Sequence, residues 1–149
     1  MKNIVLKAKK LNTNSILPKY ATEGSAGMDL CAFLEEPLVL MPGKIYKIPT
    51  GIAIAQDNPH IAAFVYPRSG LSSKFGISLI NSVGVVDSDY RGEIICPVVN
   101  HSEDEYVINP GDRIAQLVFQ PVYKVALEEV DELDETTRGK NGFGSSGVK

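Results

Sequence analysis

Residues 81–93, NSVGVVDSDYRGE, set the reading of the whole chain. Val83, Val85 and Val86 are β-branched and suit a half-buried strand. Gly84 interrupts them, and a lone glycine in a strand marks a bulge or a close approach by a backbone or a ligand. Asp87, Ser88 and Asp89 form an acidic turn, Tyr90 offers an aromatic face, and Gly92 releases the chain into Ile94 and Ile95. The stretch is expected to be a β-hairpin, with open backbone groups on one arm and a carboxylate and a ring at its mouth. A planar base could pair with that backbone, a sugar could lie on the ring, and the carboxylate could reach a water. Taken by itself, an ordinary Asp-rich turn reads the same way.

Outward from this stretch, turn signals recur about every 8–12 residues, the spacing of a β-sandwich or barrel. Strands are expected over 3–11 (an edge strand), 26–30, 38–41, 45–48, 52–55, 61–66, 96–100, 106–108, 113–119 and 122–130. Turns fall at Pro42-Gly43, Pro49-Thr50-Gly51, Asp57-Asn58-Pro59 and Asn109-Pro110-Gly111-Asp112. Nine prolines and 13 glycines suit this pattern better than helices. One helix is expected after Pro67, capped by Ser69 and stopped by Gly76. The expected class is therefore all-β with one short helix.

With 149 residues the chain can bury one core, and its 22% charged content is ordinary for a soluble globular protein. No apolar run approaches a membrane span, and MKNIVLKAKK lacks the apolar segment of a signal peptide, so a cytoplasmic setting without membrane partners is expected. Cys31 and Cys96 lack zinc-type spacing and read as buried free thiols; His60 and His101 stand alone. A net charge of −3 provides no basic field for nucleic acid. An anionic ligand would need local cations and a divalent metal.

Some polar residues sit oddly. Asp29 interrupts an apolar strand and needs partners, either backbone N–H groups of a loop or a ligand. Gln116 lies among apolar residues and needs hydrogen bonds if buried. Arg68, Ser69 and the N–H groups after them form a small anion trap, unless Arg68 simply pairs with a surface carboxylate. After six acids in residues 128–135, the segment TTRGKNGFGSSGVK cannot form a core, and mobility is expected there. It is no P-loop, because no Lys-Ser/Thr follows its last glycine.

AGMDL (26–30), PRSGLSSK (67–74), GVVDSDYRGE (84–93), NPGDRIAQLVF (109–119) and RGKNGFGSSG (138–147) stand in an order and spacing that resemble the five motifs of the trimeric dUTP nucleotidohydrolases. The resemblance spans nearly the whole chain. It implies a distorted jelly-roll-like β-barrel over residues 1–136 and a mobile Gly/Ser-rich arm over 137–149 that closes on the active site. It also implies a homotrimer whose three sites each draw on all chains: the first, second and fourth motifs from one, the hairpin from another, the tail from the third.

The implied reaction converts dUTP and water to dUMP and pyrophosphate, lowering dUTP and supplying dUMP for dTTP synthesis. By this resemblance Asp87 would activate the water that attacks the α-phosphorus, and Arg68, Ser69, Gly70 and Gln116 would hold the phosphates. Backbone from Asn81 to Gly84 would read uracil, Tyr90 would lie under the deoxyribose, and Phe143 and Gly144 would cover the base. Arg138 and Ser145 would bind the γ-phosphate. Mg²⁺ would ride on phosphates and waters near Asp29, with no direct protein ligand. Asn141 stands where the family pattern usually has glycine, and Met28 where an aromatic is common. The rivals are a dCTP deaminase on the same fold, which the Asp-Ser-Asp-Tyr turn disfavours, and a non-catalytic nucleotide-sensing regulatory trimer.

Overall fold

The computed structural model describes residues 5–140. Strands and one helix follow in the order β1 (Lys7–Lys10), β2 (Lys19–Tyr20), β3 (Met28–Cys31), β4 (Leu38–Leu40), β5 (Ile45–Ala55), β6 (Ile61–Pro67), α1 (Ser69–Phe75), β7 (Ile77–Leu79), β8 (Gly84–Val86), β9 (Glu93–Asn100), β10 (Tyr106–Ile108) and β11 (Arg113–Pro121). They form a five-stranded sheet β2-β3-β11-β6-β8, a four-stranded sheet β1-β5-β9-β7 and a small pair β10-β4, with antiparallel pairing throughout. This is the all-β, jelly-roll-like architecture that the turn spacing and the motifs led one to expect.

Alternation builds the core. In β9, Ile94, Cys96 and Val98 point inward while Ile95 is exposed. They meet Leu30, Ile48, Ile52, Val65 and Leu117 from the other strands. Cys96 lies in this apolar interior, and burial pushes its thiol up to about 12. Both cysteines are free. Among the described residues, no helix is long and apolar enough to cross a membrane.

The structure corrects the sequence reading in several places. The expected hairpin is not one: β8 pairs with β6, whereas β9 pairs with β5 and β7, so the acidic turn carries the chain from one sheet to the other. Val83 lies before β8, not in it. The turn expected at Pro49-Thr50-Gly51 is a bulge inside one long strand. Across it the β5–β9 register jumps from Pro49↔Ile95 to Ala53↔Glu93, with Gly51 at φ 66°. The Thr50 hydroxyl and the Gly51 N–H, displaced from the ladder, donate to the Ile94 carbonyl and to Glu93 Oε1, each at 2.7 Å.

The strand expected over 122–130 does not form. β11 ends at Pro121, and Tyr123 and Leu127 are 92% and 95% exposed. An alternating sequence becomes a strand only beside an open edge, and among the described residues none pairs with it. Ser69 is not the helix cap; Arg68 takes that place, in extended conformation and without a side-chain cap bond. Gly76 ends the helix at φ 68° as expected. The expected edge strand survives as β1, at the margin of the four-stranded sheet. The short strands β2 and β7 carry too few residues to show a period.

Candidate active site

β8 is the last strand of its sheet, so its outer backbone edge has no strand partner among the described residues. Between that strand and β9 lies a cleft of about 280 Å³, lined among others by Asn81, Gly84, Asp87, Tyr90 and Pro97. A tight turn joins Asn81 to β8: Ser82 has φ 60°, and the Val83 N–H donates to the Asn81 carbonyl at 2.6 Å. A Cβ on Gly84 would stand 3.3 Å from Val65 Cβ and 3.4 Å from Asn81 Nδ2, tighter than ordinary contact. Glycine thus keeps both the strand pairing and the Asn81 amide in place.

The Tyr90 N–H closes the acidic turn on the Asp87 carbonyl at 3.1 Å. The Asp87 carboxylate projects from it, exposed, and makes no hydrogen bond or ion pair among the described residues. It is therefore open to solvent on the rim of the cleft. The Tyr90 ring folds back over Gly92, and its hydroxyl donates to the Glu93 carbonyl at 3.0 Å. A Cβ on Gly92 would lie 2.4 Å from that hydroxyl. In sequence Gly92 reads only as a chain exit; its role as the seat of the ring needs the fold.

A second group of residues collects at the ends of β3, β6 and β11. Asp29, only 14% exposed, accepts from Arg68 Nε at 3.0 Å and from Arg113 Nη1 at 3.1 Å. Arg68 Nη1 also donates to the Arg113 carbonyl at 3.2 Å. Neither sequence reading of Asp29 named its partners: it is neither a loop anchor nor solely a ligand-side group, but the clamp between two guanidiniums. Two guanidiniums sharing the Asp29 carboxylate stand beside a cavity of about 180 Å³ lined among others by Arg68, Tyr106, Asp112 and Arg113. Arg113 escaped the sequence reading, and only its place opposite Cys31 beside Asp29 reveals it. The Cys31 thiol is raised above its ordinary value, by burial first and by Asp29 second.

Gln116 sits between Asp29 and Tyr66 of the neighbouring strands. Its Nε2 donates to the Pro67 carbonyl at 3.0 Å, and its Oε1 lies against Gly27, where a Cβ would come within 2.7 Å. Its amide thus fastens the backbone that leads into Arg68. Ser69 and Gly70 open the helix on the exposed side. Arg138 is exposed near the end of the described residues, while Phe143, Gly144 and Ser145 lie outside them.

Within one chain the structure therefore brings Asn81, Gly84, Asp87 and Tyr90 together, and separately Asp29, Arg68 and Gln116. The two cavities share no lining residue. Among the described residues, no three His, Cys, Asp or Glu side chains cluster as a metal cage. A carboxylate clamped by two guanidiniums is poorly suited to bind a dication directly. Its remaining lone pairs can still accept from water, so this donor set fits a hydrated metal carried on a ligand's phosphates.

The dUTPase family model matches residues 13–147. The deoxyuridine 5'-triphosphate nucleotidohydrolase of Desulfitobacterium hafniense (strain DSM 10664 / DCB-2) is 54% identical over 132 residues, 89% of this chain and 87% of the relative. That of Hahella chejuensis (strain KCTC 2396) is 50% identical over 141 residues, 95% of this chain and 93% of the relative. Among solved structures, a mutant Staphylococcus bacteriophage 80alpha dUTPase with dUpNHpp superimposes with a TM-score of 0.86 at 28% identity, covering 97% of this chain and 99% of that one. A mutant dUTPase from phage phi11 of S. aureus, described for its coordination of a structural Mg(II) ion, gives 0.77 at 25% identity, covering 86% and 97%. The matched span takes in the acidic turn, the Asp29–Arg68–Arg113 clamp and both cavities, and the chain belongs to the dUTPase family.

Proposed function

We propose that this protein hydrolyses dUTP to dUMP and pyrophosphate. The observation that carries the reading is the Asp87 carboxylate, exposed and without a partner among the described residues, on the rim of a cleft whose wall is an open strand edge. Uracil pairs with the β8 edge near Asn81 and Gly84. Cytosine presents the inverse donor and acceptor pattern and leaves each mismatched group unpaired at a cost of roughly 1–3 kcal/mol. Tyr90 lies under the deoxyribose and leaves no room for a 2′-hydroxyl. Asp87 accepts the proton of a water aligned on the α-phosphorus, a contribution of roughly 10²–10⁴-fold for a positioned base. Arg68, with Ser69 and Gly70, holds the phosphates, and Gln116 supports that side through Pro67. Mg²⁺ carried by the phosphates, its waters within reach of Asp29, would offset the charge of the triphosphate.

The site is completed by neighbouring copies in a homotrimer. Two features support this: the cleft beside Asp87 and the cavity beside Arg68 and Arg113 are separate within one chain, and Tyr123, Val125 and Leu127 present an exposed alternating apolar edge. The proposed division takes residues 137–149 as an arm that follows a domain of residues 1–136, whose last strand ends at Pro121. In this reading the arm closes over the nucleotide with Phe143 and Gly144 on the base and Arg138 and Ser145 on the γ-phosphate. The setting is cytoplasmic.

The test is pyrophosphate release from dUTP, dTTP, dCTP and UTP in parallel, with Asp87→Asn beside the wild type. Turnover of dUTP alone, lost in Asp87→Asn by about 10²-fold or more, is the expected result. Ammonia released from dCTP, or dUTP bound without pyrophosphate release, would refute it.

A further inference from the structure

Arg91 has no part in the chemistry above, yet its guanidinium grips the acidic turn. Nη1 donates to the Ser88 carbonyl at 2.7 Å and to the Tyr90 carbonyl at 2.9 Å. Nη2 lies 3.6 Å from Asp57 Oδ1, and the other oxygen of Asp57 accepts from Lys7 Nζ at 2.9 Å. Lys7 opens β1, and Asp57 follows the end of β5. The turn has only one backbone hydrogen bond of its own among the described residues, from the Tyr90 N–H to the Asp87 carbonyl. Arg91 adds two more constraints, at peptides on either side of Asp89.

The geometry points to Arg91 as a positioning residue that fixes both the Asp87 carboxylate and the Tyr90 ring by holding the carbonyls of Ser88 and Tyr90. This deepens the reading of Asp87 as the base and rests on it. One guanidinium nitrogen bonds both the Ser88 and the Tyr90 carbonyl, so it fixes the tilt of the peptides between them. A base at the tip of a tilting turn loses its line to the water, and a misplacement of about 1 Å can cost up to ~10²-fold in rate. Arg91 and Asp57 are 51% and 64% exposed, so their ion pair is screened and contributes little. The two carbonyl bonds carry the effect. Arg91 touches no reacting atom; it acts through the turn.

The test compares Arg91→Met, Arg91→Lys, Asp57→Asn and Asp87→Asn with the wild type, using dUTP and Mg²⁺, with thermal melting of each variant. Arg91→Met should lower kcat about tenfold while KM changes by less than about threefold. Its melting temperature should stay within a few degrees. Arg91→Lys, whose ammonium also donates to both carbonyls, should recover most of that loss. Millimolar guanidinium should raise the kcat of Arg91→Met and leave the wild type unchanged, as sodium at equal ionic strength should not. Asp57→Asn should keep kcat within about twofold. If Asp87→Asn is inactive while Arg91→Met keeps wild-type kcat, the positioning role is wrong and the base assignment stands. A rise in KM alone for Arg91→Met, or failure of both Lys and guanidinium to restore kcat, also overturns it. Wild-type turnover by Asp87→Asn would instead overturn the reading on which it rests.

Discussion

Replacing Gly92 by alanine tests whether the Tyr90 ring is a built platform. An added Cβ would lie 2.4 Å from the Tyr90 hydroxyl and 2.6 Å from ring carbon Cζ, with Cε2 at 3.0 Å. Restoring ordinary van der Waals contact moves the ring by about 1 Å. The clash falls on the far end of a side chain that is 45% exposed, so the ring can swing outward and the fold survives. The direct loss is the hydroxyl's bond to the Glu93 carbonyl, about 1 kcal/mol at a surface site. For a chain of this size that is about 2–4 °C in Tm.

The effect on activity is larger, because a shift of that size in a substrate-positioning group can cost up to ~10²-fold in kcat/KM. Steady-state pyrophosphate release from dUTP and UTP should therefore show kcat/KM for dUTP falling about 30-fold, with the preference for dUTP over UTP reduced. The decisive comparison is a double-mutant cycle with Tyr90→Leu. If the glycine acts by seating the ring, Gly92→Ala costs less than about twofold once the ring is gone. An equal loss in both backgrounds would show that Gly92 works by another route.

Under the proposed closure of the arm, which would exclude water and commit the substrate, removing residues 137–149 should leave melting unchanged and abolish most dUTP turnover; undiminished turnover removes the arm from the mechanism. Asp29→Asn leaves two guanidiniums facing a neutral amide. Urea unfolding should show a loss of about 1–3 kcal/mol, below the fully buried range because Arg113 is half exposed, with weaker dUTP binding through a loosened Arg68. Cys96 sets an alkaline limit: its folded-state value is about 12 against an ordinary 9.0, so above pH 9 the unfolded chain releases a proton that the fold retains. Stability should then fall by up to about 1.4 kcal/mol per pH unit between pH 9 and 12, seen in urea melts and reduced in Cys96→Ala, where only the raised Cys31 thiol still contributes. Below pH 9 this group contributes no slope.

Which residues the structure brings together was more legible in the sequence than which strands carry them. Asp87, Tyr90 and Gly84 stand out because an acidic turn, an aromatic and an interrupted apolar strand adjoin each other. Asp29 and Gln116 stand out because polar side chains in apolar strands must find partners. What those partners are was hidden, since Arg113 lies 84 residues from Asp29 along the chain. Periodicity reports which face of a segment is buried and not which strand lies beside it. The arms flanking Asp87 therefore read as a hairpin although they belong to different sheets. For the same reason Gly51 read as a turn. A positive-φ glycine after a proline signals a reversal equally with a bulge, and only the β5–β9 register jump separates the two.

The unformed strand at 122–130 follows from the same physics. Tyr123, Val125 and Leu127 alternate as a strand should, but the sheet their chain has just left is already occupied on both sides of β11, by β3 and by β6. With no free edge beside β11, the segment has no strand partner where it leaves the sheet, and in the proposed homotrimer another copy would supply one. The proposed function makes the same demand, because the cleft beside Asp87 and the cavity beside Arg68 and Arg113 share no lining residue within one chain. If both demands are met by one assembly, dilution should remove activity and expose the 122–130 segment to proteolysis over the same concentration range. Activity that persists in a demonstrated monomer would separate them and show that one chain completes its own site.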